Sequence, residues 1–263
     1  MATVEPPNVK QCCAAFYGSD AARLLLGDSF HPGGLNLTRR LGELLGLSPA
    51  SRVLDVASGR GTSALALAES FHCQVVGVDL SEENVRLATE AATQSDRQHQ
   101  VSFQLGDAER LPFEDNAFDA IVCECAFCTF PSKQIAAREF YRVLRPSGLL
   151  GLSDLTRTEE AIPELQGLLS WIACIGDAMP AQRYSEILAL VGFQSVAMED
   201  HRDALASMVR EIQGKLLGAE IAVALKKLDL PRVDFSVAKQ FAQMALQATQ
   251  NGKLGYAVMI SRK

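Results

Sequence analysis

From Ser51 onward short β-branched runs alternate with amphipathic ones, and this alternation restricts the fold more than any other feature of the chain. "VLDVA" is followed by a helical pattern over 62–71 and "QVVGVD" by one over 81–94. Then come "VSFQLGD", "FDAIVCE" with a helical pattern over 132–144, and "GLLGLSD". Strands that alternate with helices pack as a parallel sheet with helices on both faces, so a doubly wound α/β core is expected. Capping supports the boundaries. Ser81 precedes "EENVRLATEAA", with Glu82 and Glu83 in the first turn, and "RPSG" is expected to close the helix ending at Leu144. In "YSEILALV" the residues Tyr184, Ile187, Leu188 and Val191 share one face, and Gly192 is a natural stop.

A sixth strand, "FQSVAMED", precedes a long helical passage from about 203 to 250, and "GYAVMISRK" reads as a final strand. The expected organisation is an N-terminal helical cap over 1–50, an α/β core over 51–202, a helical insertion or lid over 203–252, and a last core strand over 253–263. A chain of 263 residues can bury one large core. Its net charge of −6 gives no basic footprint for phosphate backbones or anionic lipid, which argues against nucleic acid and leaves a small-molecule partner. No run reaches the roughly 18 apolar residues of a membrane span, and "MATVEPPNVK" lacks the apolar stretch of a secretory signal. A cytoplasmic protein is expected, and its seven cysteines, an odd number, then read as thiols rather than a disulfide framework.

The strand-to-helix turn "VLDVASGRGT" holds Asp55, Gly59 and Gly61. Glycines there let the backbone bend and approach a ligand at the carboxyl end of the first strand. Asp79 ends the second strand, where a carboxylate can accept from ribose hydroxyls, and Asp107 follows the third, where it can accept from an exocyclic amine. A pyrophosphate site would need G-x-G-x-x-G. Ala57 stands at the first glycine's place, no third glycine follows Gly61, and there is no Walker lysine. These strand ends describe a pocket for a nucleoside attached to something other than phosphate.

"VLDVASGRG", "VVGVDLS", "GDAERLPFEDNAFD" and "FYRVLRPSGLLGLSD" resemble, in order and spacing, the motifs of class I S-adenosylmethionine-dependent methyltransferases, most closely the branch with quinone C-methyltransferases and arsenite methyltransferases. The match covers roughly residues 50 to 200. The resemblance implies a Rossmann-like sheet of seven strands with the last antiparallel, and S-adenosyl-L-methionine as cofactor with S-adenosyl-L-homocysteine as product. It implies that Asp55, Gly59 and Gly61 line the methionine part, that Asp79 holds the ribose, and that Asp107 and Ala108 contact the adenine. Ala57, Leu80 and Glu124 complete the cofactor-binding set. Ala57, where many relatives have glycine, is a mild departure.

Methyl transfer from a sulfonium is an in-line displacement, so the protein must align the acceptor and exclude water. A hydroxyl or acidic carbon acceptor also needs a base, whereas a thiolate or thiol-bound As(III) does not. His31, in "SFHPGGL", lies in the expected cap and is the candidate base, although a loop-building role suits it too. His72 and His99 fall in connections on the wrong side of the sheet. Cysteines are the richer signal. "WIACIGDAMPAQRY" resembles the arsenite methyltransferase segment that carries an arsenic-binding cysteine, and Cys174 matches it. "CECAFCTF" ends the fourth strand and offers Glu124, Cys125 and Cys128, while "VKQCCAAFYGSD" puts Cys12 and Cys13 on the apolar side of a helix.

No resident metal is expected, but Cys12 or Cys13 folded over Cys174 would supply As(III) thiolates. The stretch after Met198 has no cysteine, a departure from the arsenite pattern. A low-molecular-weight thiol or hydrosulfide, its anion favoured by Arg60, fits that departure better. A quinone-like or other carbon or oxygen acceptor is the alternative enzymatic reading. A non-catalytic cofactor-binding sensor or partner subunit is the alternative outside enzymology, and the retained Asp79 and Asp107 speak against it.

Overall fold

The computed structural model describes residues 27, 30–159, 162, 165, 174–225 and 234–263. Seven strands form one sheet: β1 Arg52–Val56, β2 Gln74–Asp79, β3 Val101–Leu105, β4 Phe118–Glu124, β5 Leu144–Arg157, β6 Gln194–Asp200 and β7 Leu254–Arg262, in the order β3-β2-β1-β4-β5-β7-β6. β1 to β5 run parallel, and β7 inserts antiparallel between β5 and β6. The helices in chain order are α1 Gly34–Leu44, α2 Thr62–Phe71, α3 Glu82–Gln94, α4 Lys133–Val143, α5 Ala181–Ala189, α6 Arg202–Ala224 and α7 Phe235–Gln250.

The central strands are buried because helices cover both faces, which is why they read as nearly continuous apolar runs. Val53, Leu54, Val56, Ile121, Val122, Leu150 and Leu152 are all inaccessible or nearly so, and Leu41 of α1 with Leu45 just past its end packs onto β5 at Gly151. Ser81 caps α3 as its sequence predicts, accepting from the Asn84 amide at 3.3 Å. Gly192 (φ 111°) stops the segment after α5, whose Tyr184 and Leu188 are buried while Ile187 and Val191 are partly covered.

One boundary differs from the sequence expectation. α4 ends at Val143, and "RPSG" does not follow the helix as a separate stop, because Leu144 is already extended and pairs with Phe118 at the start of β5. The register then shifts between Phe118 and Ala120, and Ser147 takes φ 65°, so these residues form an irregularity inside the strand. The helical passage before β7 consists of α6 and α7 on either side of residues outside the description. Among the described residues no helix is long and apolar enough to cross a membrane.

Candidate functional site

The strand order reverses between β1 and β4, which opens a crevice beyond their carboxyl ends, where sheets of this kind take ligands. A cleft of about 1110 Å³, counting the space at its mouth, occupies it. Its wall brings together His31, Asp55, Ala57, Gly59, Asp79, Leu80, Asp107, Ala108, Glu124 and Cys125 from five separate stretches of chain. Arg60 is also in the wall. Gly61 and Cys174 stand behind it, and Cys12 and Cys13 lie outside the described residues.

The β1–α2 turn shows why its two glycines differ. A Cβ at Gly61 would come within 2.4 Å of Phe103 and 3.0 Å of Ala88, so this glycine is required by packing against β3 and α3. A Cβ at Gly59 would meet only Phe30, at 3.8 Å, so that side is open toward the cleft. Both glycines have positive φ (54° and 80°), and Ala57 shares that region at φ 58°, where a glycine would sit without strain. The amide of Gly59 donates to Asp79 Oδ2 at 2.8 Å, which ties the turn to the end of β2. The residue before α2 offers no side-chain cap and no acidic residue occupies the first turn of the helix, although Asp55 on β1 accepts from the Ala64 amide, so the positive end of the helix dipole lies beside the cleft.

Asp79 is nearly inaccessible and accepts from Gly59 N, from Ser81 N at 2.9 Å, from Asn84 Nδ2 at 3.1 Å and from the Leu80 amide. Burial raises its pKa, and these donors work in the opposite direction. Asn84 Oδ1, also in the wall, and Asp55 Oδ2 are buried acceptors with no partner among the described residues. Burial, then the charges of Glu124 and Asp79, push Asp55 well above the usual carboxylate range. Asp107 accepts from the Glu109 amide at 2.9 Å.

Glu124 closes the inner end of the cleft in a network of hydroxyls. Its carboxylate accepts from Ser63 Oγ at 2.6 Å, Thr38 Oγ1 at 3.0 Å and Ser153 Oγ at 3.4 Å, and Tyr256 Oη reaches Ser153 Oγ at 3.0 Å. His31 Nε2 stands 3.2 Å from Thr38 Oγ1 and 3.5 Å from Glu124 Oε2. His31 and Thr38 thus fasten the segment before β1 to the ends of β4 and β5. His72 and His99 are exposed.

Behind the wall at Cys125 lies a cluster of thiols. Cys174 Sγ donates to the Cys125 carbonyl at 3.5 Å and is within hydrogen-bonding reach of the Cys125 and Cys128 thiols. Cys128 and Cys174 are buried, while Cys125 is partly accessible and has φ 52°. The hydrogen bond with Cys174 and burial push Cys125 up, and burial followed by the same partner pushes Cys128 up, so both stay protonated. Asp154, inaccessible on β5, accepts from the Cys128 amide at 2.8 Å, and burial with the neighbouring Cys174 raises it to about 7.

The sequence reading did not include Thr38, Ser63, Asn84, Ser153 or Asp154. Asn84 had a local signal, three positions after a serine cap. Thr38, Ser153 and Asp154 had none, because the partners that tie them to the site, Glu124, Tyr256 and Cys128, are 86, 103 and 26 residues away.

Residues 54–152 match the family described as a methyltransferase domain. The chain is 30% identical over 188 residues to phosphoethanolamine N-methyltransferase 3 of Arabidopsis thaliana, covering 71% of this chain and 38% of that protein. It is 29% identical over 153 residues to an arsenite methyltransferase of Halobacterium salinarum, covering 57% and 39%. The fold is that of the Haemonchus contortus phosphoethanolamine N-methyltransferase 2 complex with phosphomonomethylethanolamine and S-adenosylhomocysteine, with TM-score 0.81 at 18% identity over 99% of this chain and 60% of that one. The chain spans 38% to 50% of the length of the curated relatives it matches first. With the domain match, the strand order and the cleft at the reversal point in agreement, residues 54–152 carry a methyltransferase domain of the S-adenosylmethionine-dependent kind.

Proposed function

We propose that this chain transfers a methyl group from S-adenosylmethionine to a small soft acceptor, a low-molecular-weight thiol or hydrosulfide. The observation that carries this reading is the cleft wall at Cys125, backed by the thiols of Cys174 and Cys128 and flanked by Phe130. Sulfur is polarisable and suits a soft partner. Among the described wall residues Arg60 is the one arginine or lysine, against the carboxyls of Asp55, Asp79, Asp107 and Glu124. A phosphorylated acceptor such as that of the plant relatives would meet repulsion there.

The residues fit the cofactor. Asp55 Oδ2 and Asn84 Oδ1, buried and unpartnered, match an ammonium and a ribose hydroxyl, and the positive end of α2 matches a carboxylate. In this reading Asp55, Ala57, Gly59 and Glu124 surround the methionine end, with Gly61 shaping the turn. Asp79, at the end of β2, faces the ribose hydroxyls, and the unpartnered Asn84 Oδ1 shares that task. Leu80, Asp107 and Ala108 hold the adenine. When bound, S-adenosylmethionine supplies an electrophilic methyl group. Residues 1–50 act as the cap over the core of 51–202 and 253–263, supported by Phe30 and His31 in the wall. The insertion 203–252 backs the cap, since Gly27 lies beside Lys215 of α6.

Thiol-bound arsenite is the second reading, favoured by the three gathered thiols and the archaeal relative. The test is release of S-adenosylhomocysteine, with mass spectrometry of the product, across hydrosulfide, methanethiol, arsenite plus glutathione, a quinone precursor and phosphoethanolamine. Turnover of a sulfur acceptor is expected. Turnover confined to the quinone precursor or phosphoethanolamine would overturn the reading. Full arsenite methylation by Cys174→Ser would remove the arsenite alternative.

A further inference from the structure

The two strands at the reversal point each bring a carboxylate to the cleft, Asp55 from β1 and Glu124 from β4. Asp55 lies opposite Val122, so Glu124 stands two residues further along β4, and the alternation of a strand sends both side chains to the same face of the sheet. Asp55 is buried and its Oδ2 has no partner among the described residues. Glu124 is held by hydroxyls: Ser63 Oγ at 2.6 Å, Thr38 Oγ1 at 3.0 Å and Ser153 Oγ at 3.4 Å. Tyr256 Oη donates to Ser153 Oγ at 3.0 Å, which leaves the serine proton for Glu124. Among the described residues no lysine or arginine forms an ion pair with Glu124, and His31 Nε2 is the nitrogen beside it, at 3.5 Å. Carboxylates taken out of water call for positive charge, and two that line one cleft suit a ligand that brings two. S-adenosylmethionine carries an ammonium and a sulfonium.

We propose that Glu124 distinguishes the cofactor from its product by charge: its carboxylate has the sulfonium as partner before transfer and faces a neutral thioether after it. This rests on the methyl-transfer reading above and on no particular acceptor. Asp55, through its unpartnered Oδ2, takes the ammonium, which cofactor and product share. The place of Glu124 in the wall agrees with this division. It stands between Asp55, at the methionine end, and Cys125, at the acceptor end, and the reacting sulfur has to lie between those two ends. In the transfer an electron pair of the acceptor forms the new bond to the methyl carbon. The pair of the broken carbon–sulfur bond stays on the departing sulfur and cancels its positive charge. Glu124 gains and loses no proton in this step.

The two carboxylates act on each other. Burial first, and then the charge of Glu124, push Asp55 well above the usual carboxylate range, a repulsion that cationic groups placed between them would relieve. Little water in the cleft strengthens any such pairing. Glu124 also fastens α1 by accepting from Thr38, and that anchoring alone would make the residue matter equally to cofactor and product. The ratio of the two affinities therefore separates charge recognition from anchoring.

Calorimetric titration of the full chain with S-adenosylmethionine and with S-adenosylhomocysteine, without acceptor and at pH 8, compares the wild type with Glu124→Gln, Asp55→Asn and Thr38→Val. Glu124→Gln should weaken S-adenosylmethionine about 10-fold more than S-adenosylhomocysteine. Asp55→Asn and Thr38→Val should weaken the two ligands by the same factor, since both ligands carry the ammonium and both meet the same anchored segment. Where the glutamine variant does not fold, Glu124→Ala, which leaves room for water beside the hydroxyls, takes its place with the same expectation. A ratio left unchanged at Glu124, or a ratio that shifts in Asp55→Asn instead, overturns the assignment and leaves the methyltransferase reading standing. A wild type that binds neither ligand overturns the cofactor reading and this proposal with it.

Discussion

The two glycines of the β1–α2 turn should fail in opposite ways when each is replaced by alanine. At Gly61 the new methyl would lie 2.4 Å from the Phe103 ring and 3.0 Å from Ala88, on a backbone at φ 80°. The left-handed backbone costs about 1–2 kcal/mol and the overpacking about 1–3 kcal/mol, so Gly61→Ala should lose about 2–5 kcal/mol of folding stability. At Gly59 the methyl meets nothing closer than Phe30 at 3.8 Å, so only the backbone cost applies and the loss should be about 1–2 kcal/mol. That methyl would instead stand where the cofactor approaches the backbone. A steric cost of about 1–3 kcal/mol there corresponds to a loss of affinity of roughly 5- to 150-fold. Urea denaturation followed by circular dichroism gives the stabilities, and calorimetric titration with S-adenosylhomocysteine gives the affinities. If Gly59→Ala binds as tightly as the wild type while Gly61→Ala binds far more weakly at full stability, the assignment of one glycine to packing and the other to the ligand is wrong.

Asp154→Asn tests the buried carboxyl through stability. The native carboxyl titrates near 7 against about 3.9 unfolded, so the native state holds the extra proton between those values and the wild type loses stability as pH rises through them. A rise from about 3.9 to about 7 corresponds to about 4 kcal/mol, so the stability of the asparagine variant relative to the wild type should improve by about that much from pH 4 to pH 8. Urea midpoints that move in parallel at the two pH values would show that Asp154 is not held up by burial. Thr38→Val removes a fully buried donor to Glu124 and should cost about 1.5–3 kcal/mol, the range for a hydrogen bond to a charged group. A loss below about 0.5 kcal/mol in denaturant titration would mean that Ser63 and Ser153 satisfy Glu124 without it.

The core was legible because its signals are local. β2 and α2 have the boundaries their hydrophobic patterns indicate, and the carboxyl end of each early strand carries the residue that reaches the cleft: Asp55, Asp79 and Glu124. The turn was legible as a turn, but the jobs of Gly59 and Gly61 were not, because what separates them is Phe103, more than 40 residues away on β3. The same holds for "RPSG". A proline and a glycine after an amphipathic run read as a helix stop, whereas pairing with Phe118 turns the residues into the irregular start of β5.

The acceptor end shows the limit most clearly. Two of its cysteines, Cys125 and Cys128, come from one stretch of chain and Cys174 from another, and the aspartate beneath them follows "GLLGLS" in a strand that otherwise reads as plain core. Sequence chemistry could mark Cys174 and Cys125 as interesting and offered Cys12 or Cys13 as partners of Cys174, but no local signal placed Cys174 beside Cys125 and Cys128. Fold topology makes neighbours of such distant residues, as where β4 and β5, adjacent and parallel, deliver "CECAFC" and Asp154 to the same end of the sheet. Once they are there, a carboxylate that is out of reach of solvent needs donors, and the Cys128 and Leu155 amides supply two of them. The thiols supply the rest of its surroundings, which is why the charge state of Asp154 and the disposition of three cysteines have to be understood as one unit.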